Sequence, residues 1–243
     1  MATRKAHSKP PPRSPRGPQS RPATRKAGAS QAAGAAPRAL SPFAPPATDL
    51  VVRPLTPARW PDVEALFNAK GCSMARGCWC MAYRRSGHVN VPAGQSMRDF
   101  NRDGLRALTE AGKPPPGLLA YRGKEPVGWV SLGPREQFAR LAKSPVMGPV
   151  DDRPVWSIIC FVVPTAHRHQ GVAHALLQGA IAFAARHRAR LLEAYPVDKA
   201  VRGADAWMWF GAKSMYERAG FTEVARRKPE RPVVRLVVDP GTT

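Results

Sequence analysis

The residues best arranged for chemistry follow the longest apolar run in the chain. Val155 to Val163 (VWSIICFVV) stops at Pro164, passes through the basic turn Thr165-Ala-His-Arg-His-Gln170, and enters Gly171-Val-Ala-His-Ala-Leu-Leu177. A strand that turns tightly into a helix leaves backbone N–H groups without partners at the helix N-terminus, and the helix dipole adds positive potential there. Gly171 and the small Ala173 let an anion approach the backbone, while Arg168 and His169 add charge. The chemistry expected of such a joint is a cradle for a diphosphate. The same residues also suit an ordinary strand–turn–helix corner, where glycine and alanine allow close packing, and periodicity alone leaves both readings open.

A second concentration of reactive residues runs from Gly71-Cys72 to Gly77-Cys78-Trp79-Cys80-Met81, with His88 nearby. The spacing lacks the paired Cys-x-x-Cys knuckles of common structural zinc sites, so no metal is expected. Free Cys and Trp are both core-seeking, which makes buried thiols lining a pocket the leading reading. A redox-active Cys78–Cys80 pair is the alternative, although a Cys-x-Cys disulfide is geometrically tight.

These residues need a scaffold, and the pattern around them supplies one. Leu50 to Arg53 reads as a first strand. Thr56-Pro57 opens a helix whose apolar positions are Trp60, Val63, Leu66 and Phe67, ending near Gly71. Asn68 to Val91 reads as irregular. Ser96 and Asp99 have capping-box spacing for a second helix through about Leu108. Gly117–Tyr121 and Val127–Leu132 flank Arg-Gly-Lys-Glu-Pro as a β-hairpin, and Gly133 to Arg153 reads as a loop. Val155 to Val163 fits a central strand buried on both faces. His169 to Arg186 is a long Ala-rich helix, Leu191 to Tyr195 a strand, Ala212 to Ala219 a helix stopped by Gly220, and Phe221–Ala225 and Val233–Val238 the last strands. The predicted order is β-α-α-β-β-β-α-β-α-β-β, an α/β fold with a mixed sheet and helices on both faces, in which the long helix joins two parallel neighbours by a right-handed crossover.

Composition separates this domain from what precedes it. Residues 1 to 48 carry nine Lys or Arg, no Asp or Glu, and Phe43 as the sole aromatic. Such a stretch buries too little apolar surface to offset its ordering entropy, so the sequence predicts a disordered basic tail at 1–48 and one domain over 49–240. The net charge is +21; outside the tail, 29 basic and 17 acidic residues still leave an excess of cations. That balance favours anionic partners. The tail's scattered cations lack interleaved aromatics, which does not support base stacking and leaves only weak, non-specific nucleic-acid contact. No run of 18 apolar residues exists, so no membrane association is expected, and the absence of an apolar stretch behind the N-terminal charges points to a cytoplasmic protein with reduced thiols.

Arg168-x-x-Gly171-x-Ala173, preceded by Val163-Pro164 and followed by Ala175-Leu-Leu177, resembles the acyl-CoA motif of the GNAT superfamily of N-acetyltransferases. Met215-Tyr-Glu-Arg-Ala-Gly-Phe221 resembles that family's late Tyr-x-x-x-Gly-Phe element, and the two occur in the family's order with a strand between them. The Cys-Trp-Cys-Met stretch is similar to one in a poorly characterised branch of the superfamily. The resemblance implies a single GNAT-like domain, mostly antiparallel, with a splayed central parallel pair. It implies acetyl-CoA as co-substrate, its pantetheine paired with Phe161 and Val163 and its diphosphate on the amides of His169, Gln170, Gly171, Val172 and Ala173 beside Arg168. It implies acetyl transfer by direct attack to a primary amine of a small molecule or peptide, with Tyr216 as general acid for the departing thiolate. The general base is open between Asp152, Glu193 and a water relay, because Val155 to Val163 contains no acid. The segment Trp207-Met-Trp-Phe-Gly-Ala-Lys departs from the family, which often has an asparagine there. The competing function is a nucleic-acid- or ribosome-associated protein with a non-catalytic acyl-CoA domain.

Overall fold

The computed structural model describes residues 49–198 and 208–239. The tail reading, Trp207 and the last predicted domain residue, Pro240, lie outside them.

Seven strands form one sheet: β1 (Leu50–Pro54), β2 (Gly117–Arg122), β3 (Glu125–Pro134), β4 (Trp156–Val162), β5 (Leu191–Ala194), β6 (Thr222–Lys228) and β7 (Arg231–Val237), in the order β1-β2-β3-β4-β5-β7-β6. Every neighbouring pair is antiparallel except β4–β5, which is parallel. The helices are α1 (Trp60–Asn68), α2 (Ser73–Cys78), α3 (Met97–Ala111), α4 (Ala139–Ala142), α5 (Val172–Arg186) and α6 (Lys213–Arg218). The predicted α/β class, with its central parallel pair, is the observed one.

The strand period decides which face each side chain covers. Leu118, Ala120, Val130 and Leu132 join the cluster under α5, with Leu176, Leu177 and Phe183. Their neighbours Leu119 and Trp129 point the other way and pack with Trp60, Phe67, Trp79 and Leu105 beneath α1, α2 and α3. One-residue alternation thus yields two apolar layers from the same strands. At Gly128 an added Cβ would lie 2.5 Å from Val172 Cγ1, so the absent side chain seats the first turn of α5 directly on β3. Ser96 Oγ accepts from Asp99 N–H at 3.1 Å, the expected cap of α3.

Two stretches read as irregular hold short helices. α2 lies within 68–91, and α4 within 133–153. Both span less than two turns, too little for a 3.6-residue apolar period to register in sequence. Helix α5 begins at Val172 rather than His169, because His169 (φ 61°) and Gly171 (φ 79°) both take left-handed conformations.

Candidate functional site

Strands β4 and β5 stay in register over only three positions, Trp156–Ile158 against Leu192–Ala194. Strand β5 then ends while β4 runs on to Val162. A bulge helps β4 diverge: Ser131 faces Cys160 and Leu132 faces Ile158, leaving Ile159 extra. Into the resulting fork comes the backbone of residues 209–213. Phe161 N–H donates to the Trp209 carbonyl at 2.6 Å on one side, and on the other Val197 N–H donates to Gly211 C=O at 2.9 Å.

A cavity of about 610 Å³ follows this fork. At one end its wall is Gly171, Val172, Ala173 and His174, the entry and first residues of α5. The amides of a first helical turn have no intrahelical acceptor, so the cavity reaches the backbone best suited to a diphosphate. In the middle it is walled by β4 from Ile159 to Val163, beside Arg168 by Cys72, and at the far end by Cys78, Tyr83 and Arg140.

Of the residues singled out in sequence, Phe161, Val163, Arg168, His169, Gly171, Val172 and Ala173 all line this cavity. Arg168 also ties the corner together, its Nε donating to Val163 C=O and its Nη2 to Gly71 C=O, each at 3.1 Å. Gln170 is not among the residues lining the cavity; its side chain donates to Ala166 C=O and accepts from Arg122. Tyr216 is fully buried and is not part of the cavity wall; its hydroxyl donates to Phe210 C=O at 2.9 Å, and burial pushes its pKa up. Neither candidate base reaches the cavity. Asp152 is exposed, and Glu193, at 0 % exposure, accepts from Arg135, from Tyr195 Oη at 2.6 Å and from Arg235 Nε at 2.8 Å.

All four cysteines are free thiols and all line the cavity. Cys78, Cys80 and Cys160 form a chain of thiol contacts, and Trp129 Nε1 donates to Cys80 Sγ at 3.3 Å. Thiol hydrogen bonding to the next cysteine, reinforced by burial, pushes Cys78 and Cys80 up; burial does the same for Cys72 against the pull of Arg168. Among the described residues no group of three or more His, Cys, Asp or Glu is placed to hold a metal ion. The expected consequence is slow chemistry. In the folded protein at pH 7.5, iodoacetamide should label Cys72 and Cys80 more than about tenfold slower than in guanidinium, by mass spectrometry of digests; equal rates would contradict it. Since folding raises these pKa values, their contribution to stability is complete below the ordinary thiol value. It drains away as pH rises past that value.

Tyr83, Arg140 and His174 carried no signal in sequence. Tyr83 and Arg140 meet only because the backbone N–H of Arg140 donates to Tyr83 C=O at 3.1 Å, across 57 positions of chain.

Residues 89–221 match the sequence profile described as the acetyltransferase (GNAT) family. No curated protein sequence matches the chain. Among solved structures, the polyamine N-acetyltransferase of Drosophila melanogaster is 12 % identical over 78 % of this chain and 100 % of its own, with a TM-score of 0.47. An acetyltransferase from Thermus thermophilus is 18 % identical over 78 % and 97 %, with a TM-score of 0.43. A putative acetyltransferase from Salmonella typhimurium, solved with acetyl-CoA, is 17 % identical over 79 % and 95 %, with a TM-score of 0.44. Among the described residues no helix is long and apolar enough to cross a membrane.

Proposed function

The chain belongs to the acetyltransferase (GNAT) family, and from that premise we propose that it moves an acetyl group from acetyl-CoA to a primary amine by direct attack. The observation that supports this most is one continuous cavity joining the first turn of α5, the fork of β4 and a separate far end. A diphosphate on the α5 amides, a thioester beside Phe161 and an amine entering from the Tyr83 end would lie in sequence along it.

In this reading the amine lone pair attacks the thioester carbon, the C–S bond of the tetrahedral intermediate breaks, and the thiolate takes a proton. We assign that proton to Tyr216, whose ring stands edge-on to Phe161 at 6.4 Å between centroids. Its hydroxyl must first leave Phe210 C=O, so donation accompanies a shift of the 209–211 segment. The same shift would free the Phe161 N–H, now held by Trp209, for the pantetheine. With Glu193 committed to arginines and Asp152 outside the cavity, the amine proton leaves through a water relay toward the cavity's imidazoles, His174 among them.

Calorimetric titration of the full chain with acetyl-CoA should give saturable binding; absence of binding to folded protein would sink the assignment. Tyr216→Phe should lower kcat roughly 100-fold while acetyl-CoA affinity stays within about twofold. An unchanged kcat removes Tyr216 from the chemistry. The lost hydrogen bond to Phe210 should separately reduce stability by about 1 kcal/mol.

A further inference from the structure

Three thiols meet where the turn after α2 touches β4. Cys78 ends α2, and the next two residues, Trp79 and Cys80, both take left-handed backbone conformations (φ 45° and 52°). Residues with side chains rarely hold that geometry, and two in succession persist only where the surroundings fix them. Here the fold fixes both. Trp79 is fully buried, 5.8 Å from Trp60 and 5.1 Å from Phe67 between ring centroids. Cys80 is 4 % exposed, and its Sγ accepts from Trp129 Nε1 at 3.3 Å. The strained turn thus aims the Cys80 sulfur at the sheet.

Cys160 comes to the same place from β4. It stands opposite Ser131, two residues beyond Trp129 on β3, so Trp129, Ser131 and Cys160 share one face of the sheet. It packs against the cluster that holds Cys80. The Cys80 thiol donates to Cys160, and the Cys78 thiol to Cys80. All three line the cavity. The Ser131 hydroxyl, at 0 % exposure, has no hydrogen-bond partner among the described residues, so an oxygen added to the Cys160 sulfur has a buried donor on the neighbouring strand.

The three thiols are not equivalent. Hydrogen bonding and burial push Cys78 and Cys80 up, which makes them poor first targets for an oxidant. Cys160 is half-buried and open to the cavity. Cys80 needs no outside access to react with Cys160, because its thiol already points there. A Cys78–Cys80 bond would instead have to close the tight Cys-x-Cys ring.

We propose that Cys160 and Cys80 form a reversible oxidation site, in which a small hydroperoxide oxidises Cys160 from the cavity and Cys80 then closes a disulfide onto it. In the first step the Cys160 sulfur takes one peroxide oxygen to give a sulfenic acid; the O–O bond breaks, and the other oxygen leaves with the thiol proton as water or an alcohol. In the second the Cys80 sulfur attacks the Cys160 sulfur, the S–O bond breaks, and the hydroxyl leaves with the Cys80 proton as water. Two thiols lose two electrons, and one hydroperoxide gains them. Neither step involves acetyl-CoA, so the inference stands apart from the acetyl-transfer reading.

The test exposes the full reduced chain to hydrogen peroxide at neutral pH, blocks the remaining thiols in denaturant, and maps the unreduced digest by mass spectrometry. Chymotrypsin cuts after Trp79 and so separates Cys78 from Cys80. The linked Cys80–Cys160 peptide should exceed every other disulfide, and dithiothreitol should return both thiols. Cys80→Ala leaves the Cys160 sulfenic acid without its partner; dimedone should trap it, and longer exposure should carry it to a sulfinic acid that dithiothreitol does not reverse. Cys160→Ser should slow oxidation of Cys80 by about tenfold or more. That variant alters only a half-buried sulfur, so it keeps the test decisive if Cys80→Ala does not fold. A main disulfide between any other pair or between two chains overturns the proposal. So does Cys160 recovered as thiol from the oxidised parent protein, or Cys80 oxidised as fast in Cys160→Ser as in the parent.

Discussion

Gly171→Val should reduce acetyl-CoA affinity by about 100-fold or more, measured by calorimetry on folded protein. Gly171 enters α5 at φ 79° and ψ −4°, in the left-handed region where a β-branched residue is a genuine outlier. Valine there strains the turn, and relaxation of that strain would displace the Val172 and Ala173 amides on which the proposed diphosphate site depends. Its methyl groups would also occupy the approach to the backbone that glycine leaves open. The control is Gly220, at φ 87° just beyond α6, where an added Cβ meets only Leu236 Cδ1 at 3.5 Å. Gly220→Ala should destabilise the fold by roughly 1 kcal/mol through the same strain without touching acetyl-CoA affinity. If Gly171→Val binds within threefold of the parent protein, the diphosphate does not sit on this turn.

Glu193→Gln should be the most damaging conservative change to stability, by about 3–5 kcal/mol, and should lower Tm by roughly 10 °C. Glu193 lies at 0 % exposure on β5, opposite Ser157 on β4 and Arg235 on β7. It is the shared anion of Arg135 and Arg235, and it also accepts from Tyr195. The amide keeps the shape but leaves two guanidiniums without their buried counter-charge, which is far costlier than losing an exposed pair. Arg235 reaches on to Asp151, with Nη1–Oδ2 at 2.6 Å and Nη2–Oδ1 at 3.0 Å. Hydrogen bonding from Arg235 holds the Asp151 carboxyl well below the usual carboxylate range. A depressed carboxylate contributes its stability above the unfolded-state pKa and loses it as pH falls below that value. Thermal unfolding should therefore shift to lower temperature in acid, and less so in Asp151→Asn. A Glu193→Gln protein as stable as the parent would mean the ion network is incidental.

The role of Glu193 marks where reading along the chain ends. In sequence it is one acid in an apolar stretch, as suited to a base as to a structural charge. Its function follows from the order β4-β5-β7, which brings Ser157 and Arg235 to its two sides from 36 and 42 residues away. Tyr216 repeats the lesson differently: its place before Gly220-Phe221 was legible, yet only packing shows its hydroxyl turned to Phe210.

By itself the sequence determined what depends on local stereochemistry. The apolar run had to be the central strand, and Pro164 had to end it. Only the tertiary structure decided what depends on neighbours distant along the chain. It put all four thiols on one cavity wall and threaded Trp209 onto Phe161. Backbone propensity and periodicity act over a few residues, whereas a side chain's partners are set by the order in which strands join the sheet, which no repeat in the sequence encodes.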